Sequence, residues 1–375
     1  MILQNRKRNF TFQKSYWPYC DHGGNFILVQ QGNAPATAIK IDRDGSITRL
    51  ERLSKLDMWP GSGFRLELST ENRRTHFLLH DNTPKRETRY YELFQCDDIE
   101  NSTVVCLESI DEYTLSPDGR YLAFCNGEPP RSTVCCGSYD TVKGKMLWEI
   151  KAFAEKPVWA FCMDQRNDLY VCSSEGVSKL DGRDGSTLWS VPIKLAPAAG
   201  ATGVRLILGD GLASVSYIDR TAEGRLLRFV LLDMKSGQRE DVEPYRLRHR
   251  PGIDISDVFT PANASGNFVY RAVTEGREST IVRLDVQKRK WDVVGYSSIM
   301  IPRKLLVCKD GTFIVVNCDS CGGIKVEKIM GEQREIVFSR SKRNLFGFDC
   351  MLSTEDQLGI YVEERSKSWF WRIEL

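Results

Sequence analysis

A repeated ten-residue segment is the feature that most constrains the fold of this chain. Residues 180–189 read Leu-Asp-Gly-Arg-Asp-Gly-Ser-Thr-Leu-Trp, and residues 139–148 read Tyr-Asp-Thr-Val-Lys-Gly-Lys-Met-Leu-Trp. Both fit the pattern Asp-x-x-x-Gly-x-x-x-Trp, and the copies lie 41 residues apart. Each copy predicts a strand that ends at the Asp, a tight turn closed by Gly144 or Gly185 at positive φ, and a second strand. Self-similarity at this spacing is typical of propellers and solenoids.

Looser copies of the same turn recur along the rest of the chain. Some lack the Gly or the Trp, and others replace the Asp by Glu. The marker positions are Asp42, Glu92, Asp140, Asp181, Asp233, Asp285, Glu327 and Glu374. Successive markers are 41 to 52 residues apart, which predicts eight units of about 47 residues.

Each unit reads as four short strands separated by turn signals, and no long segment has a helical period. We therefore predict an all-β fold in which residues 1–375 form a single eight-bladed β-propeller of four-stranded antiparallel blades, with seven blades as the alternative. The predicted blades cover roughly residues 16–53, 63–107, 112–151, 158–193, 203–247, 253–296, 304–339 and 345–375. The last unit offers only three strands, so residues 8–13 are predicted to be its outer strand and to close the ring.

Composition limits the classes of partner and compartment. The formal net charge is +2, hydrophobic residues make up 41% and charged residues 27%, which is ordinary for a globular protein without bulk attraction to nucleic acid. No stretch reaches the roughly 18 apolar residues of a membrane span. The N-terminus has no secretory signal, so the twelve cysteines are expected to be thiols in the cytoplasm.

The unit resembles the tryptophan-docking repeat of quinoprotein-like (PQQ-like) propellers. Two copies carry the full motif, at Asp140, Gly144 and Trp148 and again at residues 181, 185 and 189. Four-stranded blades with such turns also occur in WD40-like and other propellers. The resemblance implies a fold across the whole chain, and it does not carry a function by itself.

The resemblance also raises the question of a quinone cofactor. Quinoprotein dehydrogenases use a bound quinone, calcium and often a vicinal disulfide, and Cys135-Cys136 is a vicinal pair. That pair falls inside a predicted strand, where neighbouring side chains point to opposite faces of the sheet. No set of calcium ligands matches, so no cofactor is expected.

A second cysteine pair is a weak metal candidate. Cys318 and Cys321 form a C-x-x-C, and a structural zinc site usually needs two such pairs. A zinc site, a redox pair and a plain loop are the three alternative interpretations of this cysteine pair. The four histidines form no metal motif.

Charge becomes informative when it is placed on the predicted fold. With the strands of each blade lettered a to d, the d–a and b–c connections share one face of a propeller, and the a–b and c–d turns share the other. Lys and Arg dominate the first face, and Asp dominates the second, where its side chain is expected to bond local backbone. The candidate partner-binding residues on the basic face are Lys55, Trp59, Lys156, Arg248, His249, Arg250, Arg303, Lys304, Arg340, Lys342 and Arg343.

These patterns favour a non-catalytic platform that docks an acidic protein partner on the d–a/b–c face. A specialised form would be an immunity or antitoxin-like protein that caps a toxin, and a scaffold is the more general form. The alternative is a hydrolase, lyase or quinoprotein-like enzyme with its site in the central funnel. No membrane is expected as a partner, nucleic acid is disfavoured because no binding motif is present, and a small-molecule ligand is left open.

Overall fold

The computed structural model of the protein describes most of its β-strands and several of the turns between them. The described residues are 7–12, 16–20, 25–30, 38–50, 68–69, 76–80, 88–95, 98–108, 112–116, 120–126, 135–150, 158–193, 195, 204–209, 211–221, 224–247, 264–265, 268–275, 278–299, 304–308, 310–319, 323–340, 345–352, 357–364 and 367–375.

The described residues contain 32 strands, which are numbered in chain order. The first sixteen are β1 (Lys7–Phe12), β2 (Tyr16–Cys20), β3 (Phe26–Gln30), β4 (Ala38–Ile41), β5 (Ile47–Leu50), β6 (Leu68–Ser69), β7 (His76–His80), β8 (Thr88–Gln95), β9 (Asp98–Glu108), β10 (Glu112–Leu115), β11 (Tyr121–Asn126), β12 (Cys135–Asp140), β13 (Lys145–Ile150), β14 (Val158–Met163), β15 (Leu169–Ser173) and β16 (Gly176–Leu180). The remaining strands are β17 (Thr187–Pro192), β18 (Arg205–Leu208), β19 (Leu212–Thr221), β20 (Gly224–Asp233), β21 (Arg239–Leu247), β22 (Ala264–Ser265), β23 (Phe268–Glu275), β24 (Glu278–Asp285), β25 (Lys290–Ser297), β26 (Lys304–Val307), β27 (Phe313–Asp319), β28 (Gly323–Met330), β29 (Gln333–Arg340), β30 (Leu345–Leu352), β31 (Gln357–Glu364) and β32 (Lys367–Glu374).

The strands form eight four-stranded antiparallel sheets, numbered here in chain order. Sheet 1 is β2–β5, sheet 2 is β6–β9, sheet 3 is β10–β13, sheet 4 is β14–β17, sheet 5 is β18–β21, sheet 6 is β22–β25 and sheet 7 is β26–β29. Sheet 8 has the order β1-β32-β31-β30, so the N-terminal strand is its outer edge. Lys7 lies opposite Ile373 and Phe12 opposite Ser368, which is the pairing expected for the N-terminal segment.

The prediction of one ring of eight blades, with seven as the alternative, needs correction. Seven is wrong because there are eight sheets. The main contacts between sheets of the described residues form six junctions, which join seven sheets in series from sheet 3 through sheet 8 to sheet 1. Among the described strands, no contact of this size joins sheet 2 to another sheet. The repeat spacing encodes the number of units but not which units pack together. The described residues form an all-β propeller in which seven of the sheets pack in series.

The order of strands within each sheet follows from the contacts between sheets. β14 contacts β10 and β18, and β30 contacts β2 and β26, so the first strand lies innermost in sheets 1, 3, 4, 5, 7 and 8. The letters a to d therefore run from the innermost to the outermost strand of a sheet. The core lies between sheets: the cluster around Tyr170 and Val177 of sheet 4 and Leu195, which follows that sheet, includes Val215 and Leu232 of sheet 5.

Candidate partner-binding face

The two faces of the propeller are defined by the ends of the strands. The a–b and c–d turns lie at one end of each sheet and are called the c–d face below. The d–a and b–c connections lie at the other end and are called the d–a face.

Aspartates on the c–d face hold the turns in which they lie. The Asp140 carboxylate accepts hydrogen bonds from the backbone N–H of Val142 (3.0 Å) and of Lys143 (2.9 Å). Asp233 accepts from the hydroxyl and the backbone N–H of Ser236, both at 2.7 Å, and these bonds lower the pKa of Asp233. The acidity of this face is therefore turn chemistry, as the sequence predicted.

The repeat motif joins each sheet to the next one. The Trp148 ring nitrogen of sheet 3 donates to the carbonyl oxygen of Gly182 in sheet 4, at 2.9 Å. A β-carbon on Gly185 would lie 2.6 Å from the Trp148 ring. Gly144 and Gly185 have φ values of 64° and 74°, which confirms the positive φ predicted for both glycines. Gly185 is thus required twice, by its backbone conformation and by the tryptophan that packs on it.

The junction of sheets 4 and 5 repeats this arrangement. The Trp189 ring nitrogen donates to the Met234 carbonyl at 3.3 Å. A β-carbon on Gly237, which has φ 73°, would lie 2.8 Å from the Trp189 ring. In this motif the Asp holds the turn and the Gly leaves room for the tryptophan ring of the preceding sheet. The Trp supplies the ring that packs on the following sheet.

The junction of sheets 5 and 6 lacks both the tryptophan and the turn glycine on which it packs at the two preceding junctions. Asp241 stands eight residues after Asp233, where the motif has Trp, and Arg289 stands four residues after Asp285, where it has Gly. Arg289 keeps the positive φ, at 55°, and its guanidinium donates to Glu240 at 2.7 Å. At this junction an exposed ion pair stands where the two preceding junctions have a docked tryptophan.

Sheet 7 departs from the motif in a different way. Glu327, the marker position of this unit, is not in a turn but is 2% exposed within β28. Its carboxylate accepts the hydroxyl of Ser297, the backbone N–H of Ser298 (2.9 Å) and the hydroxyl of Ser298 (2.8 Å), all at the end of sheet 6. Lys325 donates to the same Ser298 hydroxyl at 2.6 Å. The marker residue here joins two sheets directly.

A buried ion network strengthens the c–d face between sheets 4 and 5. The Lys179 ammonium contacts Asp168 (2.9 Å), Asp164 (3.4 Å) and the Met234 carbonyl (3.2 Å). The Tyr170 hydroxyl donates to Asp164 at 3.1 Å, and burial followed by the nearby Asp164 charge raises the pKa of Tyr170. Lys179 is 6% exposed, and its three N–H donors have three oxygen partners. The network therefore stabilises the contact between sheets 4 and 5.

Two of the predicted partner-binding residues lie among the described residues. Lys304 is the half-buried first residue of β26, at the d–a end of an innermost strand. Arg340 is the last residue of β29, and its guanidinium carbon lies 4.4 Å from the ring centre of Trp369 and 5.3 Å from that of Trp371. Arg340 thus reaches from sheet 7 onto sheet 8. The predicted residues outside the described residues are Lys55, Trp59, Lys156, Arg248, His249, Arg250, Arg303, Lys342 and Arg343.

One cation of this face was missed by the sequence reasoning. Arg205 is the exposed first residue of β18, the innermost strand of sheet 5. Arg205 belongs to a strand rather than to a connection, and the first residue of an a strand also lies at the d–a face. Arg246, near the end of β21, is exposed as well. Arg205, Arg246, Lys304 and Arg340 are called the basic rim below.

The cysteine candidates provide no cofactor or metal site in the described part of the chain. Cys136 is a buried thiol in β12 rather than half of a vicinal disulfide. Cys318 lies in β27 opposite Ile324, and Cys321 lies outside the described residues. No group of three or more His, Cys, Asp or Glu side chains suited to a metal occurs among the described residues. Burial raises the pKa of Cys172 to about 12, as expected for a cysteine that packs as a small hydrophobe.

The described residues include no helix that is long and apolar enough to span a membrane.

Comparisons with known proteins identify the class of fold. No family model matches the chain, and no curated protein sequence matches it. The propeller domain of the Trilobed protease from Pyrococcus furiosus, which has an open velcro topology, matches with a TM-score of 0.50 and 11% identity over 83% of this chain and 94% of that chain.

Two further solved structures resemble the chain. The Dos1 propeller matches with a TM-score of 0.50 and 11% identity over 83% of this chain and 93% of that chain. A eukaryotic initiation factor matches with a TM-score of 0.51 and 9% identity over 98% of this chain and 91% of that chain. These likenesses concern the fold alone, and the protein is a β-propeller.

Proposed function

We propose that the protein is a non-catalytic binding platform that docks an acidic protein partner on the basic rim. The observation that supports this proposal is the unequal use of charge on the two faces. Described aspartates on the c–d face hold turns or tie sheets together. On the d–a face, Arg205 and Arg246 are exposed at strand ends. Exposed cations at one face speed encounter with an acidic surface and select against basic ones.

Arg340 and its two tryptophans give this rim an anchor for the partner. The stacked Trp369 and Trp371 rings, 6.5 Å apart with a 16° angle between their planes, hold the Arg340 guanidinium in one place. A side chain that is already ordered loses less conformational entropy on binding. Arg and Trp are also the residues most often found at interface hot spots. We therefore place Arg340 at the centre of the contact with a partner carboxylate.

The docked tryptophans support a finer structural assignment. Trp148 and Trp189 each pack on the turn glycine of the next sheet and donate to its backbone. We propose that these units belong to the PQQ-like, tryptophan-docking type of propeller repeat, without the quinone chemistry. An immunity or scaffold role is compatible with such a platform, because both roles need a rigid, charged docking face.

The proposal is tested by partner capture with matched charge reversals. The rim variant is Arg205→Glu with Lys304→Glu. The control is Lys290→Glu with Arg334→Glu, two exposed cations at the c–d ends of β25 and β29. Both variants change the net charge equally. The baits are compared in the same lysate at low ionic strength, with quantitative mass spectrometry.

The rim variant should capture about tenfold less acidic protein than the native bait and the control do. The reason is that charged interface pairs contribute about 1.4 kcal/mol or more. Capture should also weaken as salt is raised. Equal capture by all three baits would contradict the proposal.

A further inference from the structure

The outer strand of sheet 4 differs from every other outer strand in its charge. The outermost strands are β1, β5, β9, β13, β17, β21, β25 and β29. All except β17 contain at least one Lys, Arg, Asp or Glu. β17 reads Thr-Leu-Trp-Ser-Val-Pro. Charges on edge strands are the usual protection against pairing with another chain, and β17 has none.

The side chains of β17 are also open to solvent. Thr187, Leu188, Ser190 and Pro192 are exposed, and Trp189 and Val191 are half-buried. Leu188 has 48% of its surface exposed. No residue of this strand is buried, whereas β13, β25 and β29 each bury part of their length.

We infer that the free edge of β17 pairs antiparallel with β17 of a second copy of this chain. An antiparallel pair of identical strands is related by a twofold axis, so each strand must be compatible with itself. A register centred on Ser190 places Trp189 opposite Val191, and Leu188 opposite Pro192, on both sides of the axis. Apolar cross-strand pairs of this kind stabilise a sheet, and no like charges face each other within the strand.

The residues at the two ends of β17 are compatible with this pairing. Arg183, before the strand, is paired with Asp181 at 2.6 Å. At the other end, Arg239 is paired with Asp241 at 2.7 Å. In a twofold pair the start of one strand meets the end of the other, so one ion pair approaches another. The exposed Asp184 also precedes the strand, where it accepts the backbone N–H of Ser186 at 2.9 Å, and in the twofold pair it would approach the Arg239 end of the second copy.

The C-terminal end of β17 limits the strength of the association. The Pro192 carbonyl accepts a hydrogen bond from Arg239 of sheet 5 at 2.7 Å, and proline has no N–H to donate. The shared ladder is therefore confined to the six residues of β17. A contact of this size belongs with weak, transient interfaces. The dimer should form in the micromolar range of concentration and be absent at high dilution.

Sedimentation velocity of the full-length protein over a series of concentrations tests the inference. We expect a monomer at low concentration and a dimer at high concentration. Leu188→Lys should raise the dimer dissociation constant about tenfold or more, since it sets two cations in the shared sheet. The matched control is Ile336→Lys on β29, where the replaced side chain is 54% exposed and the strand already carries charges. The control should dimerise as the native protein does.

Hydrogen exchange locates the contact independently. Backbone amides of residues 187–191 should exchange more slowly at high than at low protein concentration, and Leu188→Lys should remove the difference. A monomer at every concentration would overturn the inference. So would a dimer that Leu188→Lys leaves intact, or one that Ile336→Lys weakens equally.

Discussion

The two faces of this propeller use charge for different purposes. On the c–d face, Asp140, Asp233 and the Asp164–Lys179 pair are bonded to turns or to neighbouring sheets. On the d–a face, Arg205 is exposed at the end of an innermost strand. The comparison teaches that an acidic face can be structural although it is rich in ionisable groups. Substitutions of these bonded residues of the c–d face should therefore reduce stability, and substitutions on the basic rim should affect binding.

The largest effect is expected at the buried ammonium. Lys179→Met removes the cation and leaves Asp164 and Asp168 buried together, which should lower the free energy of unfolding by about 3–5 kcal/mol. Chemical denaturation measures the loss. Lys290→Met is the control, because Lys290 is exposed, and it should change stability by less than about 0.5 kcal/mol. A Lys179→Met protein as stable as the control would show that the network does not stabilise the contact between sheets 4 and 5.

The next effect separates the two requirements on a turn glycine. Gly185→Val should cost about 3 kcal/mol, because the new side chain meets Trp148 and also occupies a positive φ. Gly331→Val should cost only about 1–2 kcal/mol, since Gly331 has φ 62° but nothing lies within 4 Å of the added β-carbon. Thermal or chemical unfolding compares the two. Equal losses would mean that the docked ring adds nothing.

A pH effect should be confined to the c–d face. Hydrogen bonds from the Arg183 side chain and backbone lower the pKa of Asp181 to about 2. Because the pKa is lower in the folded state, the stabilisation is present above about pH 4 and is lost as the pH falls toward 2. The difference in unfolding free energy between the native protein and Asp181→Asn should shrink over that range. A difference that is constant with pH would contradict this role of Asp181.

The smallest effect on stability is expected at the basic rim. Arg205→Glu with Lys304→Glu should change the free energy of unfolding by no more than about 0.5 kcal/mol for each position, because each residue is the first of its strand and lies away from the turns and the buried network of the c–d face. The same variant should lose partner capture. A marked loss of stability would place Lys304, which is half-buried, among the structural residues instead.

The sequence predicted those parts of the fold that each unit encodes locally. The Asp-x-x-x-Gly-x-x-x-Trp motif predicted the turn and the positive φ of Gly185, because a tight turn imposes both within a few residues. It did not predict that the tryptophan packs on the next sheet, or that Arg289 would keep the positive φ and pair with Glu240 of the neighbouring sheet. Both depend on which units become neighbours.

The candidate site was predicted less completely than the fold. Lys304 and Arg340 were named from their connections, and their place at strand ends follows from the alternation of strands and turns. The stacking of Arg340 on Trp369 joins residues of two sheets, and local pattern cannot encode it. Blade number failed for a related reason, since it depends on contacts between units rather than on their spacing.

The most direct test of the central claim is a hydrogen-exchange comparison of the protein with and without its captured partner. The account predicts slower exchange in the complex at the d–a ends of the innermost strands, in peptides covering residues 204–208 and 304–308. It predicts unchanged exchange in the c–d turns at residues 181–186 and 233–238. Protection confined to those c–d turns, with residues 204–208 and 304–308 unchanged, would contradict the claim that the basic rim is the docking face.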